Sequence, residues 1–339
     1  MALKQLFALT VFAKNGLLPA FFSSKKFKNI AVPLSIVCSL TIALWAPLVQ
    51  SHSVNSLYDI SYMITNWFRI AEGQLPYRDF ILVHNPGSFL WGGLLFRLFG
   101  ASYFVVISWM CFVNLISVFL ISRVLERLNI HPLFRLILLP LSSCALPYSV
   151  VASPNYDADA TFAILLSLLF LLSLIKSSRN TPSIWIFLGV VAVLPFTIKQ
   201  NYGGAFLLSV VIALVLVRRF LSLTYFLLGS ILSISLLAVV MLFNGMLHNW
   251  WTYSVLFAAK NRLGNPFSPL DNLIKHPNIL EIGLTTLAFV LIYRNAIKSF
   301  NNHRIFAAIL VVLNMPTAKF LGESLIRFLQ QYSAEGDLL

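Results

Sequence analysis

Ionisable side chains are scarce in this chain: Asp, Glu, Lys and Arg make up 10% of its 339 residues, while hydrophobic residues make up 59%. A soluble domain carries about 25% charged residues, so that class is excluded, and the mean hydropathy of +0.85 agrees. Acids are scarcest, 11 against 24 Lys and Arg. Cysteine is nearly absent as well. Cys38, Cys111 and Cys144 lie far apart in apolar runs without CxxC or metal-ligand spacing, which supports neither a disulfide framework nor a zinc site. There is no Gly/Ser or Pro linker and no internal repeat, so a single membrane domain is expected.

What the chain does have is a series of apolar runs, each of a length that crosses a bilayer as a helix. They predict an all-α polytopic membrane protein with about nine transmembrane helices, near residues 30–50, 103–122, 133–152, 160–175, 183–198, 204–217, 221–243, 279–293 and 305–321. A basic N-terminal tail, 1–29, precedes this 30–321 domain and a C-terminal tail, 322–339, follows it. With the N-terminal tail in the cytoplasm, the inside segments 1–29, 123–135, 176–182, 218–220 and 294–304 hold 15 of the 24 Lys and Arg against one acid, Glu126. Short loops biased in this way set orientation. The net charge of +13 is therefore topological, and nucleic acid is not a predicted partner. Lys25, Lys26 and Lys28 are expected to meet anionic lipid headgroups. The first apolar run is too long for a signal-peptide core and reads as a true span.

Two outer loops are long, 51–102 and 244–278, and the first carries most of the chemistry: Asp59, Glu72, Arg78, Asp79 and His84. Ile60, Met63, Ile64, Trp67, Phe68 and Ala71 share one helical face, which predicts an amphipathic helix lying in the headgroup plane with its Trp and Phe in the lipid boundary. Asp59 stands at its N-cap position and Gly73 with Leu75-Pro76 ends it. Arg78, Asp79 and His84 then fall on irregular backbone, which at that depth needs protein or a water-filled cavity around it. A second interfacial apolar helix begins at Phe89, and Met246, Leu247, Trp250, Trp251, Tyr253 and Phe257 read as an interface segment of the other loop.

The order of a first span, an outer loop with an early acid, then EGQLPYRDF, HNPG and LFRLFGAS before the second span resembles the GT-C superfamily of polyprenyl-phosphate-dependent glycosyltransferases. The resemblance is nearest to glycosyltransferase family 39-like enzymes such as protein O-mannosyltransferases and the lipid A aminoarabinose transferase. SPNYDAD at 153–159 and KQNYGG at 199–204 extend it over roughly the first two-thirds of the chain. It implies a GT-C-like helical bundle in the plasma (inner) membrane. Such an enzyme takes a sugar from a polyprenyl-phosphate carrier and passes it to a glycan, lipid or protein acceptor at the outer face. The family's catalytic base is an acid in the first outer loop, the place Asp59 occupies. Two positions depart from the pattern: Asp59-Ile60 replaces Asp-Glu, and His84-Asn85-Pro86 replaces Lys-Pro-Pro.

Each assignment has a plainer alternative. A carboxylate that removes the acceptor hydroxyl's proton contributes ~10²–10⁴-fold, and Asp59 is the residue for it; as a helix cap alone it would contribute ~1 kcal/mol. Asp157 and Asp159 could orient the acceptor or help hold a divalent cation, Mg or Mn, or they could belong to an N-capping loop before the fourth span. Lys199, Arg78 and His84 could neutralise the departing lipid phosphate. Against this, Lys199 could be a snorkelling anchor, Arg78 a surface partner of Asp79 or Glu72, and His84 a turn residue. Rival readings are a transporter or flippase for a lipid-linked sugar, and a truncated non-catalytic relative.

Overall fold

Lipid offers no partners to backbone amides, so the apolar runs close their hydrogen bonds internally as helices. The structure, a computed structural model, describes residues 25–51, 57–127, 132–144, 146–150, 153–176, 181–216 and 218–257, and no strand occurs among them. The helices are α1 (Lys25–Gln50), α2 (Leu57–Ala71), α3 (Gly87–Phe99), α4 (Tyr103–Arg127), α5 (Pro132–Cys144), the single turn α6 (Pro147–Val150) and α7 (Tyr156–Lys176). They continue as α8 (Pro182–Ala192), α9 (Leu194–Ile198), α10 (Gln200–Leu216), α11 (Phe220–Phe243) and α12 (Leu247–Trp250), which runs into a π-helical turn, Trp251–Phe257.

This is a helical membrane protein. Four stretches among the described residues are long and apolar enough to cross a bilayer: Asn29–Val49, Tyr103–Arg127, Tyr156–Ser173 and Phe220–Phe243. The expected spans at 279–293 and 305–321 lie outside the described residues. Two other expected spans are interrupted. The run at 133–152 divides into α5 and α6, with Leu146 just before Pro147, which opens α6; a proline has no amide to continue a ladder. The run at 183–198 divides at Val193 into α8 and α9, with Pro195 just beyond the break. The KQNYGG motif runs into α10, with Lys199 just before the helix and Gln200 opening it.

α7 begins four residues earlier than expected, at Tyr156. Asn155 supplies the reason, because its side-chain oxygen accepts from the Asp157 amide, the N-cap arrangement that satisfies an orphan donor of the first turn. Asp157 and Asp159 therefore sit on the first turn of a helix and not in an outer loop.

The amphipathic helix is present as α2, but its placement differs from expectation. Trp67 is fully buried in protein, not in the lipid boundary, whereas Phe68 is 48% exposed. The cause is a pair of glycines on α3: a Cβ on Gly92 would stand 1.9 Å from the Trp67 ring, and one on Gly93 would stand 2.3 Å from Ile70. Small residues let two helices approach in this way, and Phe96 closes the seat edge-on to Trp67. α8 and α11 use the same device, with Gly189 and Gly229 facing one another's partner backbone and Ser230 donating to the Gly189 carbonyl.

The apolar interior has two main parts. One joins α4, α7, α8, α10 and α11 around Trp185, Phe206 and Phe226. The other underlies the 72–86 loop and contains Met63, Trp67, Tyr77, Leu82, Phe89, Met110 and Tyr148. This second part fixes the loop that carries Arg78, Asp79 and His84.

Candidate functional site

The loop after α2 is held by its own backbone and by two neighbours. Gly73 turns the chain with φ +87°, a conformation that suits a residue without a Cβ. Tyr77 adopts φ 64°, and its amide donates to the Phe80 carbonyl. The Tyr77 side chain is buried, and its hydroxyl donates to the His84 carbonyl across the loop. Burial pushes this phenol above its ordinary range, because the charged form would be desolvated.

Arg78 and Asp79 point outward and pair with each other, Nε to Oδ1 at 2.9 Å. The hydrogen bond from Arg78, then that from the Leu75 amide, hold the Asp79 carboxyl below its usual range. The same pairing raises the Arg78 guanidinium. Arg78 is thus committed to a surface pair, and Asp79 fixes the turn it sits in.

His84 faces the other way. Its ring lies 3.9 Å from that of Tyr156, at the start of α7. Lys199 also reaches this ring: it forms an ion pair with Asp157, and its ammonium rests 5.0 Å from the Tyr156 ring and 4.6 Å from the Tyr202 ring. Aromatic faces attract cations in this geometry. Lys199 itself stands in extended backbone, φ −143° and ψ 114°, at the interruption between α9 and α10. The lysine and its acid retain side-chain exposures of 11% and 16%, so the pair lies at the edge of the packed interior. The amino ends of α7 and α10 both begin beside this pair, and helix amino ends favour anions.

Asp159 belongs to a different environment, because two residues along a helix turn a side chain by about 200°. It is 2% exposed and accepts from the Ser88 hydroxyl, from the Tyr148 hydroxyl at 2.9 Å and from the Trp109 indole at 3.2 Å. One carboxylate thereby ties α3, α4, α6 and α7 together. The two acids do not converge, and among the described residues no group of three or more His, Cys, Asp or Glu side chains is placed to hold a metal ion.

Asp59 lies on the first turn of α2, inside the helix and not at its N-cap, since the helix already runs from Leu57. Its side chain is outside the described residues. Of the six site residues expected from sequence, two meet at one ring, His84 and Lys199 on Tyr156, and a third, Asp157, pairs with Lys199. Asp159 stands behind them and Arg78 on the outer surface.

Tyr156 and Tyr202 were not among the expected site residues, although each lies inside a motif singled out, SPNYDAD and KQNYGG. Both motifs carry the same Asn-Tyr pair, and that shared pair was the available signal. Trp250 also has a role beyond an interface belt, since its indole donates to Asn85 at 2.8 Å. Comparison of the chain with protein-family models, with curated proteins and with solved structures finds no match.

Proposed function

We propose that this chain is a membrane glycosyltransferase that draws a sugar from a polyprenyl-phosphate carrier and transfers it at the outer face, with Asp59 as the general base. The observation that carries the reading is the gathering of Lys199, His84 and Asp157 around Tyr156. A leaving lipid phosphate accumulates negative charge, and a fixed ammonium near the bilayer edge, beside two helix amino ends, would stabilise it. Tyr156 and Tyr202 hold the Lys199 ammonium in place. Asp157 keeps it neutralised until an anion of higher charge exchanges for it. The Asp59 carboxylate, on the helix that leads directly into the His84 loop, takes the acceptor proton as the new bond forms.

The arrangement of two acids does not favour a divalent cation shared by Asp157 and Asp159, because Asp159 already accepts three hydrogen bonds inside the protein. Arg78 serves best as a turn lock, since Asp79 already occupies it.

A transporter or flippase for a lipid-linked sugar is the second reading, favoured by the interrupted α8–α9–α10 segment with an ion pair at its break, a feature of transporter sites. One assay separates them. Purified protein in vesicles receives a radiolabelled polyprenyl-phosphate sugar and an outer acceptor extract. Transfer by the wild type that falls ~10²-fold or more in Asp59→Asn supports the enzyme. Undiminished transfer in that variant removes Asp59 from the mechanism, and movement across sealed vesicles without cleavage of the sugar–phosphate bond replaces the enzyme with the flippase.

A further inference from the structure

Asn85 is 1% exposed and lies between two groups that each allow one kind of bond. The Trp250 indole can only donate and the Phe196 carbonyl can only accept. The Asn85 amide meets both: its oxygen takes the indole at 2.8 Å, and its nitrogen donates to Phe196. Its orientation is fixed by this chemistry, with no alternative flip. Next to it, a Cβ on Gly87 would stand 2.7 Å from the Thr197 carbonyl, so the HNPG turn lies directly on α9. α9 ends at Ile198, one residue before Lys199.

The second outer loop also bonds the earlier part of the same 72–86 loop. Asn249 donates to the Tyr77 carbonyl at 2.6 Å, and the Ser254 hydroxyl lies 3.2 Å from that of Tyr77. Gln200, the residue after Lys199, donates to the Ser254 carbonyl at 2.9 Å. Trp250 and Ser254 flank the start of the π-helical turn, a helix variant that recurs at functional sites. His84 and Lys199 reach Tyr156 from different segments, and neither segment is joined to the other by the site residues alone. Asn85 supplies the direct join, by its bond to Phe196, beside the indirect one that runs from Gln200 through Ser254 to Tyr77.

We propose that Asn85 is a positioning residue: through its two bonds it carries the placement of the second outer loop, at Trp250, to the α9 end that presents Lys199, and so sets the spacing of His84 and Lys199 at Tyr156. The transfer effects expected below rest on the glycosyltransferase reading; the geometric coupling does not. A shift of the second loop when it engages a partner would then move the Lys199 ammonium relative to His84.

The test uses the full chain in lipid nanodiscs and two variants, Trp250→Phe and Asn85→Ala. Trp250→Phe keeps the ring and removes only the indole donor, so it is the gentler of the two. Hydrogen–deuterium exchange should quicken by about five- to tenfold, the scale of one lost buried hydrogen bond, in peptides covering 77–87 and also 196–200. Trp250 itself makes no bond to the latter, and the bond that Gln200 gives to the Ser254 carbonyl is kept in both variants. Exchange in α8 and α11 should be unchanged. Quickening restricted to 247–257 and 85 would overturn the proposal whether or not the chain transfers sugar. In the transfer assay, Trp250→Phe should lower kcat about tenfold with KM within about twofold, and the double variant should be no worse than Asn85→Ala alone. Additive losses, or a loss confined to KM, would also overturn it. A wild type that transfers no sugar removes the proposed function and leaves the exchange result to decide the coupling.

Discussion

Lys199 and Asp157 form an ion pair although 42 positions separate them. The pair closes the space between the first turn of α7 and the break before α10, and it gives the candidate site its single arrangement of charge.

Removing the cation should therefore cost more than removing an exposed one. Lys199→Met leaves Asp157 without its partner and is expected to destabilise by about 1–3 kcal/mol, below the ~3–5 kcal/mol of a fully buried pair because both groups keep some exposure. Asp157→Asn/Lys199→Met together should recover part of that loss. Thermal unfolding in detergent gives the coupling, and strictly additive losses would show the pair to be incidental.

Asp159 has three donors depending on it. Asp159→Ala leaves the Ser88 hydroxyl and the Trp109 indole without this acceptor and Tyr148 with the Asn155 carbonyl alone, for an expected cost of at least ~2 kcal/mol. Asp159→Asn keeps one acceptor oxygen and should lose less. Indole fluorescence of Trp109 should shift in both, and an unchanged melting temperature in Asp159→Ala would deny the knot.

Gly92→Ala should destabilise by about 1–3 kcal/mol through overpacking, since the added Cβ would overlap the Trp67 ring at 1.9 Å. Trp67→Leu makes room. Unfolding of the double variant should show a smaller loss than the two single losses summed, and additivity would place Trp67 elsewhere.

The Arg78–Asp79 pair predicts a pH dependence of local order in the 72–80 turn. Asp79's folded-state value is depressed, so its contribution is present above the unfolded carboxyl value of about 3.9. It is lost as pH falls through the lower folded value. Backbone exchange in 74–80 should stay protected from neutral pH down to about 5 and open below about 4. Asp79→Asn should abolish that transition; a transition that persists in the variant belongs to another group.

Tyr77 predicts the opposite sign at high pH. Its phenol is raised by burial, so the neutral form is favoured and its contribution is whole below the ordinary value of about 10. That contribution fades as pH rises toward the higher folded value. Absorbance titration should show a late-ionising tyrosine in the wild type that is missing in Tyr77→Phe. Removing this hydroxyl also frees the His84 carbonyl, so the 77–84 loop should exchange faster in the variant.

Much of this was legible in the residues. Periodicity located α2, because a 3.6-residue repeat needs only local sequence, and apolar length located α1, α4, α7 and α11. The motifs SPNYDAD and KQNYGG meet in the folded chain through the Asp157–Lys199 pair, yet the placement of their tyrosines was not legible. A ring that holds a cation is recognised only when the cation is in place. The burial of Trp67 was likewise hidden, since an amphipathic face has the same pattern whether lipid or protein covers it.

The sequence by itself determined a membrane class, the helical segments and the scarcity of charge, because transfer from water and backbone satisfaction act on local stretches of chain. Tertiary structure alone decided which scarce charges meet. Asp157 finds Lys199 and Asp159 finds three neutral donors, pairings not given along the chain, whereas Arg78 meets its sequence neighbour Asp79, one of the partners the residues themselves offered. The reason is that an ion pair depends on distances of a few ångströms, and those are set by where glycine-seated helices cross and where Asn85 joins two loops.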